Sequence, residues 1–341
     1  MISLYRWQPG QKHGDWVDLP ELPANGAKLP EGEVWWLDVE NPSEEEEARV
    51  FQRFLPVHPL TLEDITLPRR DPDRAPHLPK VEEFPDYLFV IATPLKPGAD
   101  VPPTSHVGRL SRMVVQLSAV LTHQVLITHH YLALPTVTEA KQFLCRHCEQ
   151  AGRGPDYLFH LVLDRIVDEY APEIDRIVER LDDIEEKVLA TASQQLLTEL
   201  IHLKRRVIAL RKTLILMREV LARLTRGEFE LVDVREIAYY RNVYDHLVRY
   251  TELIEGAREM VSDLMQMHLA ATSNKLNGIM KTLAMVSTVI LPMSLIASIY
   301  GMNFKKNMPE LEWDYGYPFA LGLMFVVAGI AVWLFYRMKW L

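Results

Sequence analysis

Apolar positions along the chain fall into three successive textures. Up to about Gly154 they come in short runs broken by proline. Ile2–Trp7, Val34–Val39, Tyr87–Leu95, Met113–Val120 and Gln124–His129 are alternating or continuously apolar over strand length. Helical stretches lie between them. Ser43 followed by Glu46 has capping-box spacing, with acids filling the first turn. Pro135-Thr136 opens another helix running toward Cys148. Strands interleaved with helices predict an α/β domain over residues 1–154.

From residue 155 to 276 the period changes to that of a helix. Leu158, Leu161, Ile166, Ile174, Ile177, Leu181, Ile184 and Val188 recur at helical spacing, and proline vanishes after Pro172. A break at Thr191–Ser193 starts a second helix, Leu196 to Leu224, which Thr225-Arg226-Gly227 ends. A third begins near Val232 and meets no stop for roughly 65–70 residues, on the order of 100 Å of helix. That outruns a single domain core, and the region is expected to form stalk helices.

The last texture is continuously apolar. Thr282 to Tyr300 and Tyr315 to Tyr336 carry no charged side chain. Each is long enough to cross about 30 Å of hydrocarbon as a helix. The expected division is 277–301 for the stalk end and first span, 302–314 for an outer loop, 315–337 for the second span and 338–341 for a basic tail. Lys275 and Lys281 precede the first span, and Arg337 and Lys339 follow the second. The positive-inside tendency therefore puts both termini in the cytoplasm. Met1 to Gly10 shows no basic-then-apolar signal pattern, which predicts the same orientation. The fold class is an α+β multi-pass membrane protein.

One face of the first span stands out. With 100° per residue, Met280, Leu283, Leu291, Ser294, Ser298 and Gly301 fall within about 40° of Ser287, and Asn277 lies somewhat further off. Ala284, Val286, Val289, Ile290, Leu295 and Ile296 take the other faces. A serine stripe suits either close packing of helices through small residues or the wall of a water-filled pore. Two spans are too few to enclose a pore, so the second reading requires a cyclic oligomer.

Charge and composition exclude other classes. The formal net charge of -9 argues against nucleic acid as a partner. Cys145 and Cys148 flank His147 without a second pair at matching spacing, so neither a disulfide framework nor a zinc site is expected. No nucleophile elbow, dinucleotide fingerprint, zinc-protease helix or P-loop is present. The chain is expected to be neither an enzyme nor a holder of any organic cofactor. His268 on the third helix is read as part of a solvated face.

Between the spans stand Tyr300-Gly301-Met302-Asn303-Phe304, then Met308-Pro309-Glu310-Leu311 and Tyr315-Gly316-Tyr317-Pro318. A Gly-Met-Asn triplet ending the first of two C-terminal spans resembles the CorA family of magnesium channels. His58-Pro59-Leu60 through Glu63-Asp64, Val243-Tyr244-Asp245-His246 and Ser273-Asn274-Lys275 match as well. The resemblance implies a funnel-shaped homopentamer in the cell membrane whose partners are its own copies, the lipid bilayer and divalent cations. It implies that the first span lines the pore through Asn277, Met280, Leu283, Ser287, Leu291, Ser294 and Ser298. Gly301, Met302 and Asn303 would then form an outer selectivity ring. The implied function is entry of divalent cations, Mg2+ first, driven by the membrane potential. The alternative on the same architecture is a ZntB-type transporter of Zn2+, Co2+ or Ni2+, with or without proton coupling; Met302 argues for magnesium. Asp64 matches an acid of the family's cytoplasmic Mg2+-binding site. Asn242 and Gln266 stand neutral where that site has acids, so a weak regulatory site is expected.

Overall fold

A computed structural model of one chain describes residues 1–11, 16–18, 21–23, 29–71, 75–97, 113–190, 193–302 and 313–340, with only the backbone at 189 and 190. The chain divides into two compact units, Met1–Lys187 with Ser193–Met265, and Val188–Ala192 with Gln266–Leu341.

The first unit is built on a seven-stranded sheet of β1 (Ile2–Trp7), β2 (Trp16–Asp18), β3 (Val34–Glu40), β4 (Lys80–Glu83), β5 (Leu88–Ala92), β6 (Leu117–Leu121) and β7 (Val125–His130). Its order is β2-β1-β3-β7-β6-β5-β4. β3 and β7 run parallel at the centre, with Asp38 opposite Thr128 and Val39 opposite His129, and the other pairs are antiparallel. β5, β6 and β7 are buried along their whole length, which is why they read as apolar runs without strict alternation. The two edge strands left no such signal. β2 has three half-exposed to exposed residues, and β4 is Lys-Val-Glu-Glu. Short, charged strands of this kind suit an edge that must not recruit another chain.

Helices cover both faces of the sheet. On one, α1 (Glu44–Ala48), a π-helical turn at Arg49–Phe54 and α2 (Pro59–Arg70) lie over Leu4, Leu37, Phe89, Val120 and Ile127 through Val50, Phe51 and Ile65. Ser43 caps α1 as its spacing predicts: Ser43 Oγ accepts from the Glu46 amide at 3.2 Å, and Glu46 Oε2 accepts from the Ser43 amide at 2.9 Å. On the other face lie α3 (Pro135–Arg146), with Pro135 in its first turn, and α4 (Pro155–Asp168), which packs on β3, β6 and β7. The apolar run from Leu158 to Val188 is thus two helices, broken at Glu169, the second being α5 (Tyr170–Ala190).

α5, α6 (Gln194–Thr225) and the first part of α7 (Ile237–Tyr300) carry the stalk pattern. Buried positions on α6 step by three and four: Leu200, Leu203, Val207, Leu210, Leu214, Met217, Leu221 and Leu224. Each such burial contributes about 1.5–3 kcal/mol, far more than the ion pairs at the rim. Those rim pairs join α5 to α6 through Arg180–Glu199 and α6 to α7 through Arg211–Glu255, while Arg206 of α6 reaches the buried Glu173 of α5. Arg153 fixes the start of α7. Its guanidinium forms a bidentate pair with buried Glu236, Nε donating to Oε1 at 3.0 Å and Nη2 to Oε2 at 2.8 Å, and lies 4.3 Å from the ring centroids of both Tyr157 and Tyr239.

The second unit holds the end of α7 and α8 (Gly316–Arg337). Their apolar surfaces are left open to the outside: nothing in the most apolar window of α7 is buried, and little of that in α8. Two such helices cannot remain bare in water, and lipid or further copies must cover them.

Candidate functional site

α7 is one uninterrupted helix of 64 residues, so the polar stripe keeps its register despite Pro292. Pro292 lacks an amide and leaves the Thr288 carbonyl without its usual helical donor, while Thr288 Oγ1 donates back to the Ala284 carbonyl at 2.8 Å. Along the stripe Asn277, Met280, Leu283, Leu291, Ser294, Ser298 and Gly301 are exposed in the single chain, and Ser287 is half-buried. The hydroxyls and the amide therefore remain available to water or to a neighbouring copy. At the helix end the Gly301 amide donates to Ala297 O at 2.9 Å and the Met302 amide to Ile299 O at 3.2 Å. A Cβ on Gly301 would stand 3.1 Å from that same Ala297 oxygen, tight enough to strain this closing turn. Asn303 lies outside the described residues, as do Lys305, Lys306, Glu310 and Glu312.

The cytoplasmic candidate Asp64 sits on α2 and is already occupied. Its Oδ2 accepts from Lys80 Nζ at 2.6 Å, and its Oδ1 lies 3.1 Å from His77 Nε2. The neighbouring acids raise the Lys80 pKa against the opposing effect of burial, which keeps the ammonium charged at this carboxylate. A divalent cation would have to displace that ammonium. Asn242 and Gln266 are exposed and neutral.

Sequence spacing did not reveal a second group. Asp164 and Asp168, one turn apart on α4, meet His246 of α7 with ligand atoms within 4.8 Å of one another. Burial raises the Asp164 pKa, and the charge of Asp168 raises it further. A bound cation would relieve that repulsion. The i, i+4 pair was legible, but its meeting with α7 needed the fold. Another such group, Asp38, Glu40 and His130, already has Lys141 Nζ at 2.5 Å from Asp38.

One expectation changes. His268 is buried rather than solvated, because it continues the three-and-four spacing of Ile254, Ala257, Val261 and Leu264 along α7. The two cysteines face different surroundings: Cys145 is exposed, whereas Cys148 is buried with its Sγ 3.9 Å from the Gln11 carbonyl.

An α/β unit whose last long helix runs on into an apolar stretch, followed by a second apolar helix, defines a two-span membrane protein. The family model described as CorA-like Mg2+ transporter protein matches residues 31–337. The cobalt/magnesium transport protein CorA of Thermotoga maritima is 31% identical over 90% of this chain and 83% of its own. A Bacillus subtilis protein named "Putative metal ion transporter YfjQ" is 30% identical over 94% of both chains. The complete structure of the CorA magnesium transporter from Methanocaldococcus jannaschii shares the fold, with a TM-score of 0.81 over 100% of this chain and 99% of that one at 20% identity. The chain belongs to the CorA-like Mg2+ transporter family.

Proposed function

We propose that this chain assembles as a homopentamer in the cell membrane, with both termini cytoplasmic, and admits Mg2+ as a largely hydrated ion. The observation that carries this reading is the unbroken register of the α7 stripe, which aligns Met280, Leu283, Ser287, Leu291, Ser294 and Ser298 along one face. Described residues 277–302 contain no acid. A carboxylate-free wall is poor at stripping a hard cation of its water but good at hydrogen-bonding to its hydration shell. Mg2+ gives up that shell reluctantly, so the wall suits it. Met280, Leu283 and Leu291 supply apolar rings at which a narrow pore dewets and closes. Five Asn303 amide oxygens would meet the hydrated ion at the outer mouth. An inside-negative potential supplies about 2.3 kcal/mol per charge per 100 mV, and about twice that for a divalent ion.

Regulation by internal Mg2+ through Asp64 is weak, because Lys80 holds its carboxylate and its expected partners are Asn242 and Gln266. Asp164, Asp168 and His246 offer the better cytoplasmic cation site.

The test is uptake into liposomes carrying the full chain, with an inside-negative potential, wild type against Asn303→Ala. Mg2+ entry in the wild type that collapses in the variant supports the pore and its outer ring. Zn2+ entry that requires a proton gradient, with no Mg2+ entry, would overturn the reading.

A further inference from the structure

The C-terminal end of α8 is bent back on itself. Lys339 adopts φ 56°, its amide donates to Tyr336 O at 3.1 Å, and the Trp340 amide donates to Phe335 O at 2.9 Å. This is the paired-bond helix stop that usually places glycine at the left-handed position, here taken by a lysine. Its consequence is local: the Trp340 ring stacks on Phe335 at 5.8 Å and 8°. The other side of the contact is Lys281 of α7, whose Nζ lies 5.8 Å from the Trp340 ring centroid. Arg337 in turn lies over Trp333 at 5.5 Å. The reversal therefore gathers Lys281, Arg337 and Lys339 at one end of the two apolar helices, with exposed indoles between them.

Among the described residues these charges have no acidic partner. Among the described residues 266–302 and 313–340 the sole acid is Asp314, beyond the opposite end of α8, about 33 Å of helix away. No ion pair is formed by Lys281, Arg337 or Lys339 among the described residues. Their neighbours Trp333, Leu334 and Tyr336 are exposed and apolar. A ligand must therefore bring both negative charge and hydrocarbon.

We propose that Lys281, Arg337, Lys339 and Trp340 form a site for the phosphate of an anionic phospholipid headgroup, with the acyl chains lying along α7 and α8. The site rests on the two helices crossing a bilayer, and not on which ion the protein carries. A lipid there ties the cytoplasmic end of the second span to the pore helix one residue from Met280.

The test uses the full chain in phosphatidylcholine nanodiscs containing trace spin-labelled phosphatidylglycerol or phosphatidylcholine, with the motionally restricted fraction read by electron paramagnetic resonance. The wild type is expected to prefer phosphatidylglycerol by about three- to fivefold. Lys281→Gln and Trp340→Ala are each expected to halve that preference, whereas Lys281→Arg retains it. Millimolar inorganic phosphate is expected to leave it unchanged. Equal restriction of the two lipids in the wild type overturns the site, and so does a preference unaffected by both Lys281→Gln and Trp340→Ala. Displacement of the labelled lipid by inorganic phosphate would reassign the cations to free phosphate. Mg2+ uptake by the same protein in liposomes separates the two readings: absent uptake with intact lipid preference sinks the transport reading alone.

Discussion

At Asp38 a single change in the soluble unit leaves a buried network of charges without its centre. It is 1% exposed at the centre of the sheet, and its Oδ1 accepts from Thr128 Oγ1 at 2.6 Å and meets His130 Nε2 at 3.2 Å. Its Oδ2 faces Lys141 Nζ at 2.5 Å, and Trp36 Nε1 donates to Thr128 Oγ1 at 2.9 Å. Burial pushes the Asp38 pKa up. His130, first, and Lys141 more than offset this, holding it at about 2 against an ordinary 3.8. A depression of that size corresponds to about 2–3 kcal/mol of stability in the ionised form. Because the folded value is depressed, this contribution is complete above the ordinary carboxylate range and drains away as the pH falls toward about 2. His130 behaves oppositely. Its pKa is raised, chiefly by Asp38 against burial, so its share is complete below the ordinary 6.5 and is lost as the pH rises through the raised value.

Asp38→Asn keeps the acceptor for Thr128 but can turn an NH2 group toward the Lys141 ammonium. Breaking a buried pair costs about 3–5 kcal/mol. Lys141 is 20% exposed and also contacts Ser3 Oγ and the Trp16 ring, so part of its charge can be recovered by water. A loss of about 3 kcal/mol is expected, or about 6–12 °C in the melting of the soluble unit. The assay is far-UV circular dichroism melting of the full chain in detergent, with Asp38→Asn, Lys141→Met and the double variant compared. The double variant should lose less than the sum of the two singles, because neither partner is then left alone. Melting of Asp38→Asn within 1–2 °C of the wild type, or strict additivity, would refute the account.

Arg153→Ala leaves Glu236 buried without its bidentate partner and is expected to cost about 2–4 kcal/mol. Hydrogen exchange should speed at residues 227–240, and Arg153→Lys should restore little, since it cannot reproduce both the fork and the stacking between two tyrosines. Ser294→Leu replaces a hydroxyl on the α7 stripe with an apolar ring and is expected to lower Mg2+ uptake at least about tenfold, whereas Val286→Leu on another face should change it less than about twofold. Asp64→Asn should leave Mg2+-dependent protection from limited proteolysis within about twofold, while Asp168→Asn should shift its midpoint to higher Mg2+ by several-fold. Loss of protection in Asp64→Asn alone would return the regulatory site to α2.

The legibility of the fold followed how much of each element's physics is local. Strands buried on both faces advertise themselves as apolar runs, so β1, β3, β5, β6 and β7 were visible, whereas the edges β2 and β4 are defined by pairing alone. The Ser43 cap and the stop after Thr225 are settled by neighbours a few residues away, and both stand where their spacing puts them. The division at Glu169 was hidden because Ile166 and Ile174 keep helical spacing across it. His268 misled because a lone histidine has no intrinsic side; its burial follows from the stripe it extends.

What the sequence by itself determined, then, is whatever depends on period and on long-range solvent: two charge-free stretches long enough for a bilayer, and a serine face whose register is simple helical arithmetic. The tertiary structure decided which charges meet. Asp64 is answered by Lys80, sixteen residues away, Asp38 by Lys141 on another element, and Asp164 and Asp168 by His246 across two helices. Ion pairing falls off within a few ångströms and is blind to sequence separation, so only the packed chain can show whether a carboxylate is free to hold a cation.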